Sequence, residues 1–219
     1  MRGDRRRPRF ASVAAVLVAA AALFGLLSGC GSSAQTTKPA TNASATAASY
    51  RAEAKLSPPT TAPPLRLRNY LGQPVDIAQY RGKPAFVTFI YTHCPDVCPL
   101  ITSNLRVAQN LMGADGPSKA QVIAVSVDPK GDTRQAVAGF LAAHQMTGRM
   151  QYLVGSTHEL GRVWQAWGVG SERDASRPEY INHTGLLYGI TGTGKRITLY
   201  APNFKPAELA HDVPLLAAR

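Results

Sequence analysis

The chain has 219 residues, 45% of them hydrophobic, and a formal net charge of +11. This composition excludes a collagen-like or uniformly disordered chain, and three cysteines are too few for a small disulfide-rich scaffold. The positive charge by itself would suit a nucleic-acid partner. However, residues 1–29 hold five arginines against one aspartate, and no long Lys/Arg run follows them. We therefore expect no nucleic-acid partner.

Residues 1–29 have the layout of an export signal. An arginine-rich start precedes seventeen uncharged residues from Ala11 to Leu27, which is short for a bilayer span. The junction LSGC, which ends at Cys30, resembles the lipobox of bacterial lipoproteins. That resemblance implies cleavage before Cys30, attachment of lipid to it, and a location on the extracytoplasmic face of the bacterial cell membrane. The alternative is an uncleaved membrane anchor, which also places the chain outside the cytoplasm.

The segment after Cys30 consists mainly of Ser, Thr, Ala and Pro. Residues 31–62 lack apolar periodicity and cannot bury enough surface to fold by themselves. We predict that residues 30–64 form the lipidated N-terminus and a disordered linker that holds the domain off the membrane. Residues 65–219 then form one domain of roughly 155 residues, which is long enough for a single core.

The remaining sequence alternates between strand and helix patterns. In chain order, we predict two short strands at 65–68 and 75–77, a buried strand at 85–91, a helix with apolar positions from Ile101 to Met112, a buried strand at 121–127, a helix capped by Asp132, and a strand at 152–154. Next come a helix at 158–167, a hairpin of 184–190 with 196–200, and a last helix from Pro206 that Pro214 kinks or shortens. Strand–helix–strand units imply parallel crossovers. The order predicts an α/β, thioredoxin-like fold: a central mixed sheet flanked by helices, with extra N-terminal strands and an inserted helix.

Cys94 and Cys98 lie where a predicted strand meets a helix, with Cys98 in its first turn. The unpaired N–H groups and partial positive charge of a helix N-terminus stabilise a thiolate and lower its pKa. Four-residue spacing places the two Cα atoms about 6 Å apart in helical geometry. That distance allows a disulfide, and it also allows both sulfurs to face one ion. In an oxidising compartment the pair is either a local disulfide or a metal site, and a passive structural role is the alternative.

Two thiolates need at least one further protein ligand for a closed metal site. Soft sulfur ligands select Cu(I), Zn or iron–sulfur clusters. His183 stands immediately before the predicted final hairpin, and in the thioredoxin plan that loop lies beside the cysteine turn. This position makes His183 a candidate for the third metal ligand, but spacing alone does not assign it that role. The other four histidines are weaker candidates: His93, His144, His158 and His211.

Three blocks of the sequence resemble the Sco/SenC family. They are GKP at 82–84 with FIYTHCPDVCP at 89–99, SVDP at 126–129 with Asp132 and Thr133, and His183 with Tyr188. The resemblance covers about residues 65–215 in matching order. Its most specific part is the CPDVCP block combined with a distant histidine.

The resemblance implies a membrane-tethered copper chaperone that serves assembly of the dinuclear copper site in subunit II of cytochrome c oxidase. Carried over by position, Cys94, Cys98 and His183 would be the ligands of Cu(I), Cu(II) or both. The implied partner is subunit II or another extracytoplasmic copper protein. Asn182 departs from the family pattern, which often has Asp before the histidine. This difference could alter hydrogen bonding at the imidazole and the redox poise of the site.

Other functions could use the same two cysteines. A thiol–disulfide oxidoreductase would cycle Cys94 and Cys98 between dithiol and disulfide, reducing the oxidase copper-site cysteines or another exported protein. Thioredoxins have two residues between their cysteines and usually a cis-proline in the facing loop. The three intervening residues and His183 therefore argue against general oxidoreductase work. A redox or copper sensor is also left open. We expect copper delivery to be the main role, and no enzymatic activity is certain.

Overall fold

A computed structural model describes residues 49–177 and 180–219 of the protein. The predicted export signal, Cys30 and most of the predicted linker lie outside the described residues. Within them, an eight-stranded sheet, a two-stranded sheet and five helices are formed. None of these helices is long and apolar enough to cross a membrane.

The elements follow one another along the chain with short connections. The strands are β1 (Ala54–Thr61), β2 (Arg66–Asn69), β3 (Pro74–Asp76), β4 (Ala85–Ile90), β5 (Gln121–Ser126), β6 (Gln151–Val154), β7 (Ser171–Arg173), β8 (Ile181–His183), β9 (Leu187–Ile190) and β10 (Lys195–Tyr200). The helices are α1 (Val97–Leu111), α2 (Gly116–Lys119), α3 (Arg134–Ala143), α4 (Thr157–Trp167) and α5 (Pro206–Ala217). A short 3-10 turn, Ile77–Tyr80, follows β3.

The large sheet has the order β1-β10-β9-β4-β5-β6-β2-β3. The central strands β4, β5 and β6 pair in parallel, and the other pairs are antiparallel. Every residue of β4 is buried, as expected for a strand that is covered on both faces. This arrangement confirms the predicted thioredoxin-like fold. It places the end of β4 at the middle of the sheet.

Helix α1 leads away from the end of β4 and buries one face. Its apolar positions Ile101, Leu105 and Ala108 are fully buried, as their helical spacing predicts. Asp96 caps the helix by accepting a hydrogen bond from the Val97 N–H. The cap and the buried face fix where α1 begins, and therefore where the two cysteines lie.

The strand β1 contradicts the prediction of a disordered linker as far as residue 64. Residues 54–61 pair antiparallel with β10 at the edge of the sheet. Most of their side chains are exposed, so the strand is held by main-chain pairing and leaves no apolar pattern in the sequence. Pro58 and Pro59 are accommodated because they fall in the irregular stretch between the paired residues Lys55 and Thr60. The folded unit thus begins before residue 65.

Asp132 does not cap α3 as predicted. Thr133 is the N-cap, and its side chain accepts a hydrogen bond from the Ala136 N–H. The Asp132 carboxylate is buried instead, where it accepts hydrogen bonds from the Thr92 N–H, the Ser126 hydroxyl and the Tyr152 hydroxyl. Asp is a good N-cap by residue type, but here its carboxylate is engaged by three donors inside the domain and does not reach the start of α3.

Pro214 does not shorten α5, which continues to Ala217. A proline removes one hydrogen bond from the helix interior. Leu209, Val213 and Leu216 are nonetheless buried in the core, and this packing maintains the helix through the proline. The hairpin of β7 and β8 was not predicted either, because its strands have three residues each and are too short for a periodic pattern.

Candidate metal centre

The two cysteines lie where the sequence placed them, at the junction of β4 and α1. Cys94 is in the turn that follows β4, and Cys98 is in the first turn of α1. Both are buried, with 5% and 0% of their surface exposed. Ligand sites of open α/β sheets characteristically lie at the carboxyl ends of the strands, and this turn is at that edge.

The Cys94 sulfur accepts hydrogen bonds from its own turn and from the start of α1. The Cys98 N–H lies 3.4 Å from it, and the Asp96 N–H also donates to it. The Cys98 thiol donates as well, and this bond is the main reason why the pKa of Cys94 falls to about 6, against the opposing effect of burial. The pKa of Cys98 is raised because its thiol donates a hydrogen bond to Cys94 and because the side chain is buried. Cys94 is therefore the cysteine that loses its proton more readily, and as a thiol it donates to the Asp96 carboxylate at 3.6 Å.

Both cysteines are free in this structure, so the predicted disulfide is not formed here. The pair is in its reduced form. In this form both sulfurs are available as metal ligands or as reductants.

His183 comes from a distant part of the chain and reaches the cysteines from the β7–β8 hairpin. Its Nε2 atom lies 4.0 Å from the Cys98 sulfur, and its ring lies edge-to-face against Tyr91. Burial lowers the pKa of His183, with a smaller opposing effect from the Thr184 main chain. The imidazole is therefore neutral near pH 7, the form that binds a metal.

The three side chains have the composition of a soft-metal site. The His183 Nδ1 atom is buried and makes no hydrogen bond of good geometry to any described residue. Cys98 contacts both His183 and Cys94, so the three candidate ligands lie close together in pairs. Among the described residues, however, no three Cys, His, Asp or Glu side chains are already arranged to hold a metal ion. The residues fit a soft metal by chemistry and proximity, and binding would have to draw them closer together.

The other four histidines have different surroundings. His93 is exposed and bonds to the Thr92 hydroxyl. His144 packs on Phe140 at the end of α3. The remaining two bond to neighbours on their own helices: His158 to Arg162 and His211 to Asp212. Each of the four thus has its own partner.

Sequence reasoning missed the contacts that hold the β7–β8 hairpin against the sheet. Arg173 forms an ion pair with Asp128 at 3.1 Å, and the Ser171 hydroxyl donates to the Val127 carbonyl. On β8, the Ile181 N–H donates to the Tyr91 hydroxyl at 3.2 Å. Asp128 and Tyr91 lie within the sequence blocks singled out above, but nothing in the pattern near Arg173 marks it.

Comparison with known proteins gives a family match over most of the described residues. A sequence model of the family described as SCO1/SenC matches residues 53–218. The mitochondrial SCO1 homologue of mouse is 25% identical over 154 residues, covering 68% of this chain and 54% of that protein. The human homologue is 24% identical over 154 residues, covering 68% and 50%. The chain thus spans about half the length of the curated relatives it matches.

Solved structures resemble the fold closely. ScoI of Bradyrhizobium japonicum, solved with copper bound, has a TM-score of 0.62 and 28% identity, covering 71% of this chain and 99% of that one. Apo Sco1 from Thermus thermophilus has a TM-score of 0.64 and 26% identity, covering 79% and 98%. A SCO1/SenC family lipoprotein from Bacillus anthracis has a TM-score of 0.63, covering 74% and 99%. At 22% identity this last likeness supports the fold alone.

Proposed function

The chain belongs to the SCO1/SenC family, and from this premise we propose that it is a copper-binding chaperone of cytochrome c oxidase assembly. Copper is its cargo, held by the Cys94 and Cys98 sulfurs and the His183 imidazole. The observation that carries the proposal is the contact of His183 Nε2 with the Cys98 sulfur at 4.0 Å, between residues 85 positions apart. Two sulfurs and one imidazole suit Cu(I) and can also hold Cu(II).

The residues around the ligands prepare them to bind. The lowered pKa of Cys94 supplies a thiolate, which is the form that binds metal. The Cys98 thiol has a raised pKa and must lose its proton when the metal binds, so binding releases a proton to solvent. The imidazole is already neutral. These states support uptake by a reduced apo-protein near neutral pH.

We further propose that the protein is tethered to the extracytoplasmic face of the bacterial cell membrane. The sequence of residues 1–29 supports export, and Cys30 is the proposed site of lipid attachment. Residues 31–48 are the proposed connection between Cys30 and the copper-binding domain. The proposed acceptor is the dinuclear copper site of cytochrome c oxidase subunit II, or of another extracytoplasmic copper protein.

Copper binding is the direct test. The reduced full-length protein, in detergent, is titrated anaerobically with Cu(I) against a competing chelator, and native mass spectrometry gives the stoichiometry. We expect one tight copper per chain, weakened in each of Cys94→Ser, Cys98→Ser and His183→Ala. His158→Ala is the matched control, because that imidazole bonds to Arg162 on α4. Wild-type binding no tighter than that of the ligand variants would contradict the proposal.

A second candidate function, reduction of a partner's disulfide, is favoured by the unequal pKa values of the two cysteines. The Cys94 thiolate would attack one sulfur of the partner disulfide and release the other as a thiolate. Cys98, losing its proton, would then attack Cys94 in the mixed disulfide. The partner gains two electrons as a dithiol, and a Cys94–Cys98 disulfide is left.

The two functions can be separated with His183→Ala. A reductase needs only the two cysteines, so the variant should reduce an oxidised copper-site domain of subunit II at the wild-type rate. A chaperone needs the histidine, so the same variant should fail to transfer copper to the reduced domain. Loss of copper transfer with full reductase activity would assign both activities to one protein. Wild-type transfer by this variant would remove His183 from the proposed site.

A further inference from the structure

Tyr91 stands between the cysteine turn and the hairpin that carries His183. It directly follows β4, and only 2% of its surface is exposed. Its main-chain carbonyl accepts the Cys94 N–H at 3.4 Å. Its ring lies edge-to-face against the His183 imidazole, with the ring centroids 5.8 Å apart. One residue thus contacts two of the three proposed ligands before its hydroxyl is considered.

The Tyr91 hydroxyl ties the hairpin to the residue that follows β4. Its oxygen accepts the Ile181 N–H at 3.2 Å, and Ile181 lies two residues before His183 in β8. The same hydroxyl is one of the groups that lower the pKa of Cys94, which places it beside that sulfur.

The strand β8 belongs to a separate two-stranded sheet, so main-chain pairing with the large sheet does not fix its position. Its position depends on side-chain contacts such as those of Tyr91. The Ser171 and Arg173 contacts with the loop after β5 hold the other strand of that hairpin, β7. Tyr91 holds β8 itself, at the residue that begins it. A phenylalanine at position 91 would keep the ring contact with His183 but would leave the buried Ile181 N–H without this acceptor.

We propose that Tyr91 is a positioning residue of the copper site, an inference that rests on the proposed copper-binding function. Its main-chain carbonyl holds the Cys94 N–H, and its hydroxyl holds the strand that carries His183, so the residue fixes the two parts of the ligand set relative to each other. A hydroxyl beside a ligand sulfur also draws charge away from it, which is one means by which the surroundings tune a metal–thiolate bond.

The test compares Tyr91→Phe with Tyr188→Phe in the full-length protein. Tyr188 is a matched control because it is also buried, and its hydroxyl donates to the Trp167 carbonyl at 3.5 Å. The first readout is amide exchange of Ile181 in the reduced, copper-free protein, measured by NMR. We expect exchange about fivefold faster in Tyr91→Phe, from the loss of one hydrogen bond, and no change in the control.

The second readout is the spectrum and affinity of the Cu(II) form. We expect the sulfur-to-Cu(II) absorption band of Tyr91→Phe to move to lower energy, because the ligand sulfur is no longer stabilised by the hydroxyl. Copper affinity should fall about tenfold, as is common when a group supporting a ligand is removed. Neither quantity should change in Tyr188→Phe. In wild type, a nuclear Overhauser contact between the Tyr91 ring and the Ile181 amide checks the geometry without any variant.

Unchanged Ile181 exchange in Tyr91→Phe, or no contact between that amide and the ring in wild type, would overturn the proposal. So would equal band shifts in the two variants, since a purely structural loss would affect them alike. Absence of copper binding in wild type would instead refute the proposed function. The exchange measurement on copper-free protein would then still decide whether Tyr91 joins the two segments.

Discussion

Replacing Asp132 with alanine tests how the cysteine turn is attached to the core. The Asp132 side chain is buried and accepts three hydrogen bonds, from the Thr92 N–H at 2.8 Å, the Ser126 hydroxyl at 2.6 Å and the Tyr152 hydroxyl at 2.8 Å. Thr92 lies two residues before Cys94. The variant therefore removes the acceptor that ties the start of this turn to β5 and β6.

The expected loss follows from these three bonds. A buried hydrogen bond contributes about 1 kcal/mol net, so three contribute about 3 kcal/mol. The larger figure for bonds to a charged group does not apply, because the cost of burying the charge outweighs what these bonds add for the ionised form and raises the pKa of Asp132. The Tyr152 hydroxyl also keeps a second acceptor, the Ile90 carbonyl. We expect Asp132→Ala to lower the free energy of unfolding by about 3 kcal/mol and Tm by about 9 °C.

Urea unfolding and thermal melting of the reduced full-length protein measure this loss. Asp132→Asn, which keeps one acceptor oxygen, should lose about half as much. The control is Asp115→Ala, which removes only an exposed i,i+4 ion pair with Lys119 and should change the stability by less than about 0.5 kcal/mol. If Asp132→Ala is no less stable than Asp115→Ala, the buried network does not hold the turn and the reasoning is refuted.

Three further predictions follow from the described contacts. With a pKa of about 6, Cys94 should react with iodoacetamide faster than Cys98, at a rate that rises with pH to half its maximum near pH 6; mass mapping that finds Cys98 modified first would contradict this. Asp212 accepts the Arg51 N–H at 2.8 Å, so Asp212→Asn should speed limited proteolysis before β1 on the order of fivefold, with Asp115→Asn unchanged. The folded-state pKa of Asp132 is raised, so its contribution to stability falls as pH rises. The difference in free energy of unfolding between wild type and Asp132→Asn, measured in urea, should therefore shrink from about pH 4 upward. A difference that grows with pH would show that the folded state lowers this pKa instead.

The sequence was sufficient for the parts of the fold that are encoded locally. The run from Ala85 to Ile90 is apolar throughout because both faces of β4 are covered, and the spacing of Ile101, Leu105 and Ala108 marks the buried face of α1. Each pattern lies within one element and needs no knowledge of the others. The same locality placed Cys94 in the turn and Cys98 in the first turn of α1.

Elements that are held by main-chain or distant polar contacts left no such pattern. The strand β1 was predicted as linker because its stability comes from hydrogen bonds to β10, and mostly exposed side chains carry no periodicity. Asp132 was assigned as a helix cap on residue type, although its donors come from Thr92, Ser126 and Tyr152, which are distributed along the chain. In both cases the deciding partner lies far away in sequence.

The properties of the candidate site also fall into those encoded locally and those set by tertiary contacts. The sequence by itself determined that two thiols stand at a helix N-terminus, since strand, turn and helix are consecutive. Only the tertiary structure decided that His183 contacts Cys98, that Cys94 rather than Cys98 has the lowered pKa, and that Tyr91 lies between the two segments. The first and the third depend on how a hairpin packs against a turn some 85 positions earlier in the chain, whereas the pKa difference depends on burial and on hydrogen bonds within the turn. The contacts that set the first and the third exist only once both segments are in place.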